Sequence, residues 1–194
     1  MLNVMLLVLV VKTIVLEDMV PRGFTPSAER LVLDYEHCAV ALRQLARYHA
    51  VSYGLKKLET SRFDAMVKNI SAQNFCQSSP EGWNYFLKTT SYRGIKYLEG
   101  RQEMDQATLD RLKNRLKHAR KHLVELVEPK QPLAMLCHGE FLRNNILFRY
   151  DTRKPCVIVL FNLQHVKYAS PATDLSLFIY RGQKTGTFEK PNKN

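Results

Sequence analysis
The sequence predicts an α+β chain, mostly helical, with a short β-hairpin. Three observations carry this. Apolar residues recur at three- and four-residue steps between about residues 26 and 55, and again between 105 and 127. After Pro132 the period changes to short apolar runs separated by turn residues. The first 16 residues are rich in Val, Leu and Ile and almost uncharged. A chain of 194 residues with 45% hydrophobic content can bury a real core, which excludes an intrinsically disordered protein.

In chain order, Met5 to Leu16 reads as a buried strand or hairpin. A cryptic signal segment is the alternative. However, no Lys or Arg precedes the apolar part and no small-residue cleavage site follows it, and the run is too short to span a bilayer. Glu17 to Gly23 supplies turn chemistry. Thr25-Pro26 has the form of a helix N-cap with Pro at the first helical position, which predicts a helix to about Leu55. Leu31, Tyr35, Cys38, Leu42, Leu45 and His49 form its apolar stripe, and His49 on that stripe reads as a packed, hydrogen-bonded core histidine. Ser78-Ser79-Pro80 signals a loop, and a shorter helix is expected over 83–98. A long helix should start near Asp105, with Leu109, Leu112, Leu116, Ala119, Leu123 and Val127 on one face, and close at Pro129 and Pro132. Leu133 to Cys137 reads as a strand. Ile146 to Tyr150 and Cys156 to Phe161 flank the turn residues 151–155, as a hairpin would. Pro171 to Tyr180 reads as a final helix with Leu175, Phe178 and Ile179 inward, and residues 182–194 as a basic, disordered tail.

The formal charge of +11 favours anionic partners or a solvated basic surface. The positive charges are dispersed, without the aromatic-interleaved basic run a nucleic-acid groove needs, so no nucleic-acid partner is expected. Cys38, Cys76, Cys137 and Cys156 contain no C-x-x-C pair, which argues against zinc. All four read as reduced, with Cys137 and Cys156 as small hydrophobes in strands, and the expected compartment is cytoplasmic.

One segment carries chemistry. His138-Gly139-Glu140 is followed by Asn145, five residues beyond the carboxylate, which is the spacing of a kinase catalytic loop. In such a loop the carboxylate accepts the proton of the attacking hydroxyl and the Asn binds magnesium. A hairpin follows, and the end of its second strand, where a kinase places its metal-binding Asp, carries Asn162.

The ordered motifs resemble the ecdysteroid-kinase-like, or choline-kinase-like, small-molecule kinases of insects and nematodes, in the aminoglycoside-phosphotransferase branch of the protein-kinase-like fold. The motifs are His138-Gly139-Glu140, Asn144-Asn145, Ile146 to Asp151, Asn162-Leu163-Gln164, Ser170-Pro171-Ala172 and Asp174-Leu175. Val15 to Asp18 resembles the family's hinge, and Glu36 to Ala50 its first C-lobe helix, so the likeness runs from about residue 13 to 181. The resemblance implies a kinase-like C-lobe over 20–181, with remnant N-lobe strands and the hinge over 1–19. It also implies ATP and Mg2+ as cofactors and a small-molecule alcohol, steroid-like or choline-like, as acceptor. Residue by residue, it implies Glu140 as catalytic base with His138 in the same loop, Glu17, Asp18 and Met19 against the adenine, Asn145 and Asn162 as metal ligands, and Asp174 with His138 bracing the loop.

Two departures weaken the implied activity. Glu140 is longer than the usual Asp by a methylene, and a misplacement of about 1 Å can cost about 100-fold in rate. Asn162 is neutral where magnesium wants a carboxylate. Only 16 residues precede Glu17, so a phosphate-covering loop and strand lysine are expected to be missing. The alternative to an impaired phosphotransferase is therefore a non-catalytic, degenerate kinase-like binding module, or a truncated gene product. The exposed edge of the N-terminal strand should favour self-association. Trp83, Tyr85, Phe86 and Tyr92 are expected in core packing, with an acceptor pocket as the rival reading.

Overall fold
The computed structural model describes residues 8–10, 13–28, 32–70, 81, 82, 85, 89, 90, 92–99 and 104–182. The expected loop at 78–80, Trp83, Phe86, Cys76 and the basic tail beyond Gly182 lie outside them, while Gly182 itself ends a helix. The chain divides into two units, one formed by 1–70 with 129–194 and the other by 71–128.

In the first unit, β1 (Val8–Val10) and β2 (Thr13–Val15) form an antiparallel hairpin, with Val8 opposite Val15. The expectation of a buried run fails at its end, where Val15 is 50% and Leu16 42% exposed. A 3-10 turn at Val20–Arg22 leads into β3 (Phe24–Thr25), which pairs with β5. Thr25 is therefore no helix cap: its backbone is used opposite Phe148. The first long helix, α1 (Tyr35–Leu58), starts ten residues later, where the Asp34 side chain accepts the His37 N–H at 2.9 Å. α2 (Thr60–Asn69) follows, with Phe63 buried.

After 129 come β4 (Met135–Cys137), β5 (Ile146–Asp151), β6 (Lys154–Leu160), β7 (Lys167–Ala169) and α6 (Ala172–Gly182). β3, β5 and β6 form one antiparallel sheet, and β4 pairs with β7. The β5–β6 hairpin turns through Thr152 and Arg153, both at positive φ, as a two-residue hairpin connection demands. Leu45 and Cys38 of α1, Phe148 and Ile158 of the hairpin, Phe141 of the loop and Phe178 of α6 form the main core. Leu175 and Ile179, expected inside, stand 37% and 41% exposed, and only Phe178 on that face is sealed. Cys156 is exposed as well, at the rim of its strand and not in a core.

The second unit holds α3 (Tyr92–Glu99), α4 (Gln106–Lys117) and α5 (Ala119–Val127). The single long helix expected from Asp105 is two, broken at His118. Asp105 does cap α4, accepting the Thr108 N–H at 2.9 Å. The weakness of the apolar stripe explains the break: only Leu109 on it is fully buried, so little packing holds the helix straight. Tyr85 is 71% exposed, outside any core. No helix among the described residues is long and apolar enough to cross a membrane.

Candidate active site
The His138–Asn145 loop leaves β4 and is held by a residue from a different element. Asp174, fully buried at the start of α6, accepts the backbone N–H of His138 and of Gly139, each at 2.8 Å. Its Oδ2 also accepts Nε2–H of His49 from α1 at 2.9 Å. His49 is thus a hydrogen-bonded core histidine, tying the first helix to the loop. Gly139 sits at φ +82, and a Cβ there would lie 1.8 Å from the His165 carbonyl oxygen, so the turn after β6 presses directly on the loop.

His138 is buried and its ring spans the loop. Nε2 donates to the Phe161 carbonyl at 3.0 Å, which leaves Nδ1 to accept the Glu140 N–H at 3.3 Å. Burial holds its pKa below the ordinary histidine value, against the opposing pull of Asp174 and the Phe161 carbonyl. The ring is a neutral strut joining the loop to the end of β6.

That strut brings Glu140, Asn145 and Asn162 together. Asn162 lies two residues past β6 in the left-handed region, at φ 63, a conformation Asn and Asp tolerate better than other residues with a side chain. Its Nδ2 donates to Glu140 Oε2 at 3.0 Å and to Asn145 Oδ1 at 3.1 Å. Both neighbours are acceptors, so the amide must face them with its nitrogen. Asn145 Nδ2 donates to the Glu140 carbonyl at 2.8 Å and reaches Oε2 at 3.3 Å. His165 Nε2 lies 3.5 Å from the same Oε2. Sequence reasoning missed His165, whose only signal was its place directly after Gln164 in the strand-end motif.

Glu17, Asp18 and Met19, expected from the resemblance at the hinge, lie in the same unit. Glu17 pairs with Arg22 at 2.6 Å, and Asp18 Oδ1 accepts the Val20 N–H at 2.9 Å. The Met19 side chain is buried with Phe24 and Val159 and packs with Leu147, on the two strands that carry Asn145 and Asn162 to the site. Met19 O accepts from the N–H of Arg22 and of Phe24. The Glu17 and Asp18 side chains are therefore engaged locally.

Magnesium does not fit the residues present. The cation wants oxygen ligands including a carboxylate. Here one carboxylate oxygen is covered by amide N–H groups, and the Asn145 oxygen is taken by Asn162. A second group of metal-type residues, His49, Cys137 and Asp174, has its ligand atoms within 4.8 Å. It is equally engaged: both Asp174 oxygens accept N–H groups, and the Cys137 thiol, its pKa pushed up by burial, donates to backbone carbonyls such as Ser170 O at 3.3 Å.

A catalytic-type loop, a hairpin and a strand-end residue that meet in this order define a kinase-like fold. The sequence model of the Ecdysteroid kinase-like family matches residues 7–185, and the chain belongs to that family. No curated protein and no solved structure matches the chain.

Proposed function
We propose that this chain is a small-molecule phosphotransferase of the ecdysteroid-kinase-like type whose cleft has lost its magnesium site and with it most of its turnover. The hydrogen bond from Asn162 Nδ2 to Glu140 Oε2 at 3.0 Å carries this reading. Where the reaction needs a cation between two oxygen ligands, the chain has an amide donor bonded to a carboxylate. The nucleotide would rest against the Glu17–Met19 backbone, above the Met19–Leu147–Val159 floor. Glu140 keeps a role: its Oε1 is not among the atoms engaged by the amides, and its side chain is 35% exposed. It can accept a proton from a small-molecule hydroxyl, steroid-like as the family name suggests or choline-like as in the resemblance above. Its extra methylene and its ties to two amides place it poorly for that transfer, since geometry comes before basicity in a general base.

The test is calorimetric titration of the chain with ATP, with and without magnesium. Binding should be weak and independent of magnesium. Magnesium-dependent binding in the micromolar range would overturn the proposal.

A further inference from the structure
Away from the cleft, α1 and β6 enclose a small cavity of about 80 Å3. Arg43, Gln44 and Arg47 line it from the helix, Cys156 from the strand, and Val40 and Ile158 give it apolar walls. No carboxylate lines it. Arg43 and Arg47 are four residues apart, so they share a helix face. Both are exposed, and neither guanidinium has an ion-pair or hydrogen-bond partner among the described residues.

Gln44 makes this more than a basic patch. It is only 9% exposed, yet its side-chain amide has no hydrogen-bond partner among the described residues. Buried side-chain amides are nearly always satisfied. An unpartnered buried donor beside two unpaired guanidinium forks is a donor set without its acceptor.

We propose that this cavity binds a tetrahedral oxyanion, either inorganic phosphate or the phosphate group of a small monoester. The two guanidiniums would chelate its oxygens, as Arg does with phosphate, and the Gln44 amide would donate a further hydrogen bond from within. A cavity of about 80 Å3 takes the phosphate group and is far smaller than the usual pocket for a drug-sized ligand. The site is independent of the Glu140 cleft and does not rest on the phosphotransferase reading.

Cys156 supplies a built-in reporter. It is exposed at the cavity, with Sγ 3.3 Å from the Arg149 carbonyl, while Cys38 and Cys137 are buried. The rate of Cys156 alkylation by iodoacetamide, followed on its own peptide by mass spectrometry, should fall by up to about threefold when phosphate replaces chloride at equal ionic strength and exceeds its dissociation constant about twofold. Glycerol phosphate forms the second arm. Protection by phosphate alone assigns the free ion, and protection by both assigns the phosphate group of monoesters as well. The surface variant R43Q/R47Q should lose the protection. Gln44→Met should weaken it while raising the melting temperature, because a buried unpartnered amide is gone. Equal alkylation in phosphate and chloride, or protection that persists in R43Q/R47Q, overturns the proposal. An unchanged melting temperature together with unchanged protection in Gln44→Met removes the amide from the site.

Discussion

Replacing Asn162 with Asp should convert the cleft from a hydrogen-bonded knot into a cation site, and the change can be read in stability before any chemistry is assayed. The amide nitrogen lies 3.0 Å from Glu140 Oε2. An oxygen in its place would put two carboxylates at that distance. At an effective dielectric of about 20 the repulsion is about 5 kcal/mol. Glu140 is 35% exposed, so water and a small side-chain rotation relieve much of this. With the lost charge-assisted hydrogen bond included, the net destabilisation in metal-free buffer should be about 2 kcal/mol. For a chain of this size that is a fall of about 4–8 °C in melting temperature. Magnesium should reverse it. Two carboxylates and the Asn145 oxygen form a hard-cation site, and a ligand at about 100 times its dissociation constant returns about 2.7 kcal/mol. Thermal unfolding of both proteins in EDTA and in millimolar magnesium decides the matter. The wild type should be indifferent to the metal and the variant should be rescued by it. A wild-type melting temperature that climbs with magnesium as much as the variant's would refute the reasoning, because the native trio would then already hold the cation.

Two further outcomes follow from the loop. His138 has its folded-state pKa depressed from 6.5 by burial. Above that value neither state is protonated and the residue is silent. As pH falls below it the unfolded chain takes up a proton that the folded chain refuses, so stability should decline on the acid side. Urea midpoints between pH 7.5 and 5.5 should show this slope, and it should be shallower in His138→Gln; equal slopes in the two proteins would contradict a neutral, buried imidazole. Gly139→Ala must place a methyl group 1.8 Å from the His165 carbonyl oxygen while holding φ at +82. The loop or the turn has to move, at a cost of about 3 kcal/mol or more in chemical denaturation. A loss below about 1 kcal/mol would mean the two segments do not meet as described.

The order of elements around the site was legible because each has a local signature. The Asn145 spacing, the β5–β6 hairpin and its turn, and Phe178 in the last helix all follow from period and turn chemistry. The meeting of Glu140, Asn145 and Asn162 was legible only through the motif order, and the structure brings them within hydrogen-bond reach. What sequence could not show was partner choice. Thr25-Pro26 has every local mark of a helix start, yet Thr25 is claimed by a strand more than a hundred residues away. The stripe from Leu109 to Val127 has helical period throughout, but a period does not say whether anything covers it, and the helix breaks at His118 where little does. Gln44 gave no signal at all, since an amide on a helix is ordinary until its neighbours are known.

Asp174 has a consequence beyond its hydrogen bonds. It fixes the backbone of the loop from outside the Glu140, Asn145 and Asn162 trio, with His49 as its anchor in the first helix. A change in a side chain of the trio therefore leaves the Asp174 hydrogen bonds to the His138 and Gly139 backbone in place.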